Sequence, residues 1–137
     1  MLPTNLTTNE VKDSSGTEVE FLRMSTEGRK VIFQKSGELP NAPSRLTVSH
    51  GEVGDGLTKR RRSLVRVDRT INGGSGTPRV VTAYVVCDFP VGDLASDAEL
   101  KTALAYLLSF CASTGADTTV KYDCTGNGAS ALIAGSL

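Results

Sequence analysis

Up to Pro90 the chain alternates between apolar and polar positions with the period of two that marks β-strands. Thr17–Met24 predicts a strand with Val19 and Phe21 on one face, preceded by the turn signal Asp13-Ser14-Ser15-Gly16. The segment Leu6–Lys12 would complete an N-terminal hairpin with it. Glu27-Gly28 predicts the next turn and Arg29–Lys35 the next strand. Ser36–Pro43 holds Gly37, Pro40 and Pro43 and predicts a loop. In Arg45–His50 the residues Leu46, Val48 and His50 share one face, with Arg45, Thr47 and Ser49 on the other. Gly51–Thr58 predicts a glycine-rich connection. Arg61–Ile71 then sets Ser63, Val65 and Val67 against Arg62, Leu64, Arg66 and Asp68. Asn72–Pro78, with three glycines, is the segment with the fewest backbone limits. In Arg79–Phe89, Val81, Ala83, Val85, Cys87 and Phe89 line one face, and Thr82, Tyr84, Val86 and Asp88 the other. The short turn spacing favours antiparallel pairing.

After Pro90 the period changes. Ser96-Asp97-Ala98-Glu99 has the form of a capping box, and Leu100, Ala103, Leu104, Leu107, Leu108 and Cys111 follow at helical spacing. Gly115 is a stop signal. Ala129–Ala134 predicts one or two further helical turns. The class is therefore α+β, in a single domain over 1–137: an N-terminal hairpin (1–25), a sheet (28–90) and a helical region (95–137). Five strands at ~4.8 Å spacing make a sheet roughly 20–25 Å wide, and one helix is about 10–12 Å across. One long helix cannot cover the apolar face of Leu46, Val48, Val65, Val67, Val81, Val85 and Phe89. An obligate homodimer is expected, with Leu100, Leu104, Leu107 and Leu108 at its interface.

Charge narrows the functional classes. Fifteen basic and fifteen acidic residues give a net charge of zero, unlike a polycation that coats nucleic acid. Placement is uneven, because Lys59-Arg60-Arg61-Arg62 form a run with Arg66 and Arg69 close behind. That run reads either as a phosphate-binding stripe or as a solubilising turn. The cysteines Cys87, Cys111 and Cys124 contain no CxxC pair, and His50 is the only histidine, so no zinc site and no cofactor are expected. The cysteines read as buried thiols, with a Cys111–Cys124 bridge left open.

An enzyme is disfavoured. His50 falls on an apolar face with no Ser or Cys nucleophile evident beside it. The helix start explains the carboxylates Asp88, Asp93, Asp97 and Glu99. No apolar run approaches the ~20 residues of a membrane helix. The N-terminus lacks the regions of a signal peptide, so a protein made in a cytoplasm is expected.

The order of elements resembles the levivirus coat proteins, the shell proteins of single-stranded RNA phages. Ser44-Arg45-Leu46-Thr47-Val48-Ser49 resembles the family's fourth strand, Arg61-Arg62-Ser63-Leu64-Val65-Arg66-Val67-Asp68 the basic strand after it, and Ala83-Tyr84-Val85-Val86-Cys87-Asp88-Phe89-Pro90 the last strand. The spacing from Pro90 to Ser96-Asp97-Ala98-Glu99-Leu100 matches without a gap, and Gly128–Ala134 looks like the short second helix. The resemblance spans the whole chain without one diagnostic motif. Residues 116–125 look like an insertion, and the 72–78 loop lacks the cysteine that cross-links some relatives' shells.

The resemblance implies an interlocked dimer that assembles into a T=3 icosahedral shell, a virion component made in the bacterial cytoplasm. It implies genomic RNA hairpins as partners, bound on the interior sheet face, and repression of replicase translation. Arg45, Thr47, Ser49, Arg62, Arg66, Thr82, Tyr84, Val86 and Asp88 would line that face. Arginines would pair with phosphates, and Tyr84 would stack an unpaired base or be an ordinary strand aromatic. Thr47 and Ser49 would read a base edge or merely face solvent. The resemblance also implies that the 72–78 loop takes different conformations around different shell axes. The competing reading is a small dimeric α+β ligand-binding module with the same sheet face as its pocket floor.

Overall fold

The computed structural model describes residues 1–94, 96–115 and 120–136. They fall into two compact units, Met1–Val11 with Val19–Leu94, and Lys12–Glu18 with Ala95–Leu137.

In the first unit six strands form one antiparallel sheet in sequence order. They are β1 (Asn5–Leu6), β2 (Phe21–Glu27), β3 (Lys30–Lys35), β4 (Ser44–Val53), β5 (Arg60–Asn72) and β6 (Pro78–Pro90). The expected N-terminal hairpin continues the sheet through only two pairs, Asn5 opposite Leu22 and Leu6 opposite Phe21. β2 begins at Phe21, later than Thr17, and runs on to Glu27. Its register with β3 shifts between Arg23 and Ser25, so Met24 is the extra residue of a bulge. Gly28, at φ 53°, closes the turn into β3.

β4 departs most from expectation. It does not end at His50 but pairs with β5 through Gly51, Glu52 and Val53. Glu52 explains the extension. Its carboxylate takes Arg61 Nε at 2.8 Å, Lys59 Nζ at 2.7 Å and Arg29 Nη1 at 3.0 Å. Three cations on one carboxylate tie the β4–β5 end to the β2–β3 turn, a local ion network that glycine and charge content conceal. β5 and β6 then pair without interruption from Arg60–Pro90 to Asn72–Pro78.

The core is Leu6, Phe21, Phe33, Leu46 and Val48, with Val11, Val19, Val31 and Val67 packed against it. Phe33 is fully buried. Burial of such a ring contributes about 1.5–3 kcal/mol. The N-terminal segment therefore covers the β3–β4 part of the apolar face, which the pattern alone left wholly open. Val65 and Val81, farther along that face, remain 45% and 53% exposed.

The second unit holds α1 (Ala98–Ala112) and α2 (Asn127–Ala134). The capping box does not form as expected. The cap residue is Asp97, whose side chain makes no capping bond and instead pairs with Lys101 at 2.8 Å. Ser96 Oγ accepts the Ala98 amide, at 3.3 Å. α2 starts two residues before Ala129 and ends at Gly135 in the left-handed conformation. The helices meet closely at Gly128, where a β-carbon would collide with the Phe110 carbonyl and lie 2.6 Å from its ring. α1 buries none of its residues within the chain, and Leu107 and Leu108 are 45% and 52% exposed. The expected insertion at 116–125 lies partly outside the described residues, at 116–119. All three cysteines are free thiols, and none is buried as expected: Cys87 and Cys111 are half-buried and Cys124 is exposed. Among the described residues, no helix is long and apolar enough to cross a membrane.

Candidate nucleic-acid interface

Strand register decides which side chains share a face, because directly opposed residues in an antiparallel pair point the same way. Thr47, Arg66 and Tyr84 form one row across β4, β5 and β6. Arg45, Asp68 and Thr82 form the next row toward the 72–78 turn. On the other side come Ser49, Leu64 and Val86, then Gly51, Arg62 and Asp88, then Val53, Arg60 and Pro90. The structure thus brings all nine expected residues, Arg45, Thr47, Ser49, Arg62, Arg66, Thr82, Tyr84, Val86 and Asp88, to one face. Tyr84 is 66% exposed and Val86 40% exposed, so the platform offers apolar surface as well as charge.

The cations on this face are not equivalent. Arg66 Nε lies 2.8 Å from Asp68 Oδ2, and Thr82 Oγ1 donates to Asp68 Oδ1 at 2.7 Å. The Arg66 guanidinium, followed by the Thr82 hydroxyl, holds the Asp68 carboxyl below its ordinary value. The same bond raises Arg66. Arg45 Nη1 is engaged by Glu38 Oε1 and by the Ser44 carbonyl. Burial works to raise Glu38, but hydrogen bonds from the Ser44 amide and Arg45 outweigh it and keep the carboxyl low. Arg62 is the looser cation, with Nε 3.9 Å from Asp88 Oδ2 and a side chain 71% exposed. A phosphate would reach Arg62 without displacing a tight partner, whereas at Arg66 it would compete with Asp68.

Two members of this face did not stand out in the sequence. Asp68 is visible there only as an acid in a basic strand; its bond to Arg66 joins two residues of β5 on one face, whereas its bond to Thr82 crosses to β6. Arg60 was placed before the strand, yet its Nε bonds Asp88 Oδ1 at 2.9 Å. Alternation also splits the basic run. Arg60 and Arg62 lie on the platform, and Lys59 and Arg61 turn to Glu52 on the reverse side.

On that reverse side His50 Nδ1 lies 2.8 Å from Ser63 Oγ, so a serine does stand beside the histidine, contrary to the sequence reading. The two are register partners on neighbouring strands, a proximity that sequence spacing hides. Glu52, the next residue of β4 on that side, is occupied by its three cations. Among the described residues, no group of three or more His, Cys, Asp or Glu is placed to hold a metal ion.

No protein-family model and no curated protein matches the sequence. Solved structures do match. The bacteriophage EMS014 coat protein superposes with a TM-score of 0.72 over 100% of this chain and 99% of its own, at 13% identity. The chain has the coat-protein fold of the levi-like phages. The levi-like coat fold recurs in the virus-like particle of bacteriophage EMS014, at a TM-score of 0.59, 16% identity and coverage of 87% and 88%. The virus-like particle of Beihai levi-like virus 32 matches at 0.56 and 18% identity, over 67% of this chain and 75% of its own. At these identities the likeness lies in the path of the backbone, and the expected order of hairpin, sheet and two helices is that of the levi-like coat fold.

Proposed function

We propose that this chain is the coat protein of a single-stranded RNA phage, which pairs into dimers, closes into an icosahedral shell and holds genomic RNA hairpins on the face bearing Arg62, Arg66 and Tyr84. The observation that carries the reading is the full-length likeness to the EMS014 coat protein. The unpartnered apolar surface supports the dimer. Exposed Leu107 and Leu108 on α1 suit exposed Val65 and Val81 on the sheet of a second copy. Leu100 and Leu104 extend the same helix face. The platform suits RNA, because arginines bind phosphate while an exposed tyrosine and hydroxyls meet unpaired bases. A hairpin held there would be closed to ribosomes, which extends the reading to repression of the replicase message. Quasi-equivalent packing falls to the 72–78 loop, whose glycines permit several backbone paths.

Electron microscopy of the protein purified from bacteria tests the proposal. Closed particles containing nuclease-protected RNA are expected. A protein that remains a monomer or dimer at high concentration, with no RNA, overturns it.

A further inference from the structure

The platform is not uniform along its length. At the end remote from the 72–78 turn, Val53, Arg60, Arg62 and Asp88 line an open pocket of about 290 Å³. Gly51 stands beside it, opposite Arg62, and a β-carbon there would meet nothing within 4 Å. Arg60 Nε holds Asp88 Oδ1 at 2.9 Å, while Oδ2 has Arg62 Nε only at 3.9 Å. Asp88 is thus a fixed carboxylate with acceptor capacity to spare, flanked by two exposed guanidinium groups and by Val53, which is 77% exposed.

A carboxylate accepts hydrogen bonds and donates none. Among the four RNA bases, guanine alone presents two adjacent donors, N1–H and the N2 amine, on its Watson–Crick edge. Adenine and cytosine offer one amine beside an acceptor, which the carboxylate would repel. The arginines balance the carboxylate and can take the phosphates on either side of the bound base.

We propose that this pocket is a guanine subsite, in which Asp88 reads the edge of an unpaired guanine and Arg60 and Arg62 hold its flanking phosphates. The proposal rests on the RNA-binding reading of the sheet face and names one base it selects. The carboxylate supplies specificity, and Gly51 keeps the space above β4 clear for the ring.

The test is binding of the assembled wild-type protein, disassembled to its smallest folded species, to uridine heptamers whose central base is uridine, guanine, adenine or inosine. Roughly tenfold preference for guanine over adenine is expected, as for a hydrogen bond to a charged group. Inosine, which lacks the N2 amine, should fall between them. Asp88→Asn should reduce the guanine preference to less than twofold, read as the ratio of guanine-heptamer to adenine-heptamer affinity within the same variant. Gly51→Leu, which fills the space without altering charge, should abolish the same preference. Binding of every heptamer alike would overturn the subsite while leaving the RNA face intact. Binding of none, with no binding of longer RNA, would overturn the RNA face and the subsite together. Tight binding of guanosine monophosphate without preference among heptamers would also overturn it, in favour of a mononucleotide site.

Discussion

Arg66 and Tyr84 stand directly opposite each other on β5 and β6, and the guanidinium of Arg66 is held 2.8 Å from Asp68 on its own strand. Ion pairing and stacking surface therefore lie side by side, and they should respond differently to mutation. Arg66→Ala should weaken binding of many RNAs and reduce the salt dependence by about one ion, because it removes a phosphate contact. Tyr84→Ala should cost roughly 1–3 kcal/mol on a cognate hairpin with little change in salt slope. Filter binding at several salt concentrations separates the two. Equal losses with equal slopes would show that the residues do not divide the task.

Glu52 makes stability depend on acid. Hydrogen bonds from Lys59, Arg29 and Arg61 lower its pKa from the usual 4.5 to about 2. A depressed carboxylate contributes stability above its unfolded pKa and loses it as pH falls through the folded value. The Glu52 contribution should therefore be full above about pH 4.5 and fade toward pH 2. Glu52→Gln should unfold at lower urea concentration than wild type at pH 7, with the difference shrinking toward pH 2. A difference independent of pH would locate its role elsewhere.

The dimer proposal places α1 against a partner's sheet. Leu104→Asp or Leu107→Asp would put an unpaired charge in a dry contact, a cost of several kcal/mol. Sedimentation should show no folded dimer of either variant. A soluble, folded monomer would count against an obligate pair.

Gly128 permits the close meeting of α1 and α2, since any β-carbon would strike Phe110. Gly128→Val should lower the melting temperature, by an overpacking cost of about 1–3 kcal/mol. Gly135→Ala, by contrast, meets open space and is strained only by its backbone, at φ 65°. It should cost less, about 1 kcal/mol. Calorimetry of both variants gives the comparison, and an equal or larger loss at Gly135 would contradict the close packing.

The period-two pattern by itself assigned Thr47, Arg66 and Tyr84 to one side and Leu46, Val48 and Val67 to the other, because alternation is a local property of extended backbone. The change to helical spacing at Leu100 likewise marked α1. Partners across strands are not local. That Thr82 binds Asp68, that Arg60 anchors Asp88, that Ser63 meets His50 and that Glu52 prolongs β4 all depend on register, which the tertiary fold sets over tens of residues. The capping box failed for a related reason. Ser96 and Glu99 have the right spacing, but Asp97 holds the cap position and its carboxylate is drawn to Lys101. The N-terminal segment was legible as a hairpin, yet its place over Phe33 was not, since only the folded sheet shows which part of an apolar face is left to cover.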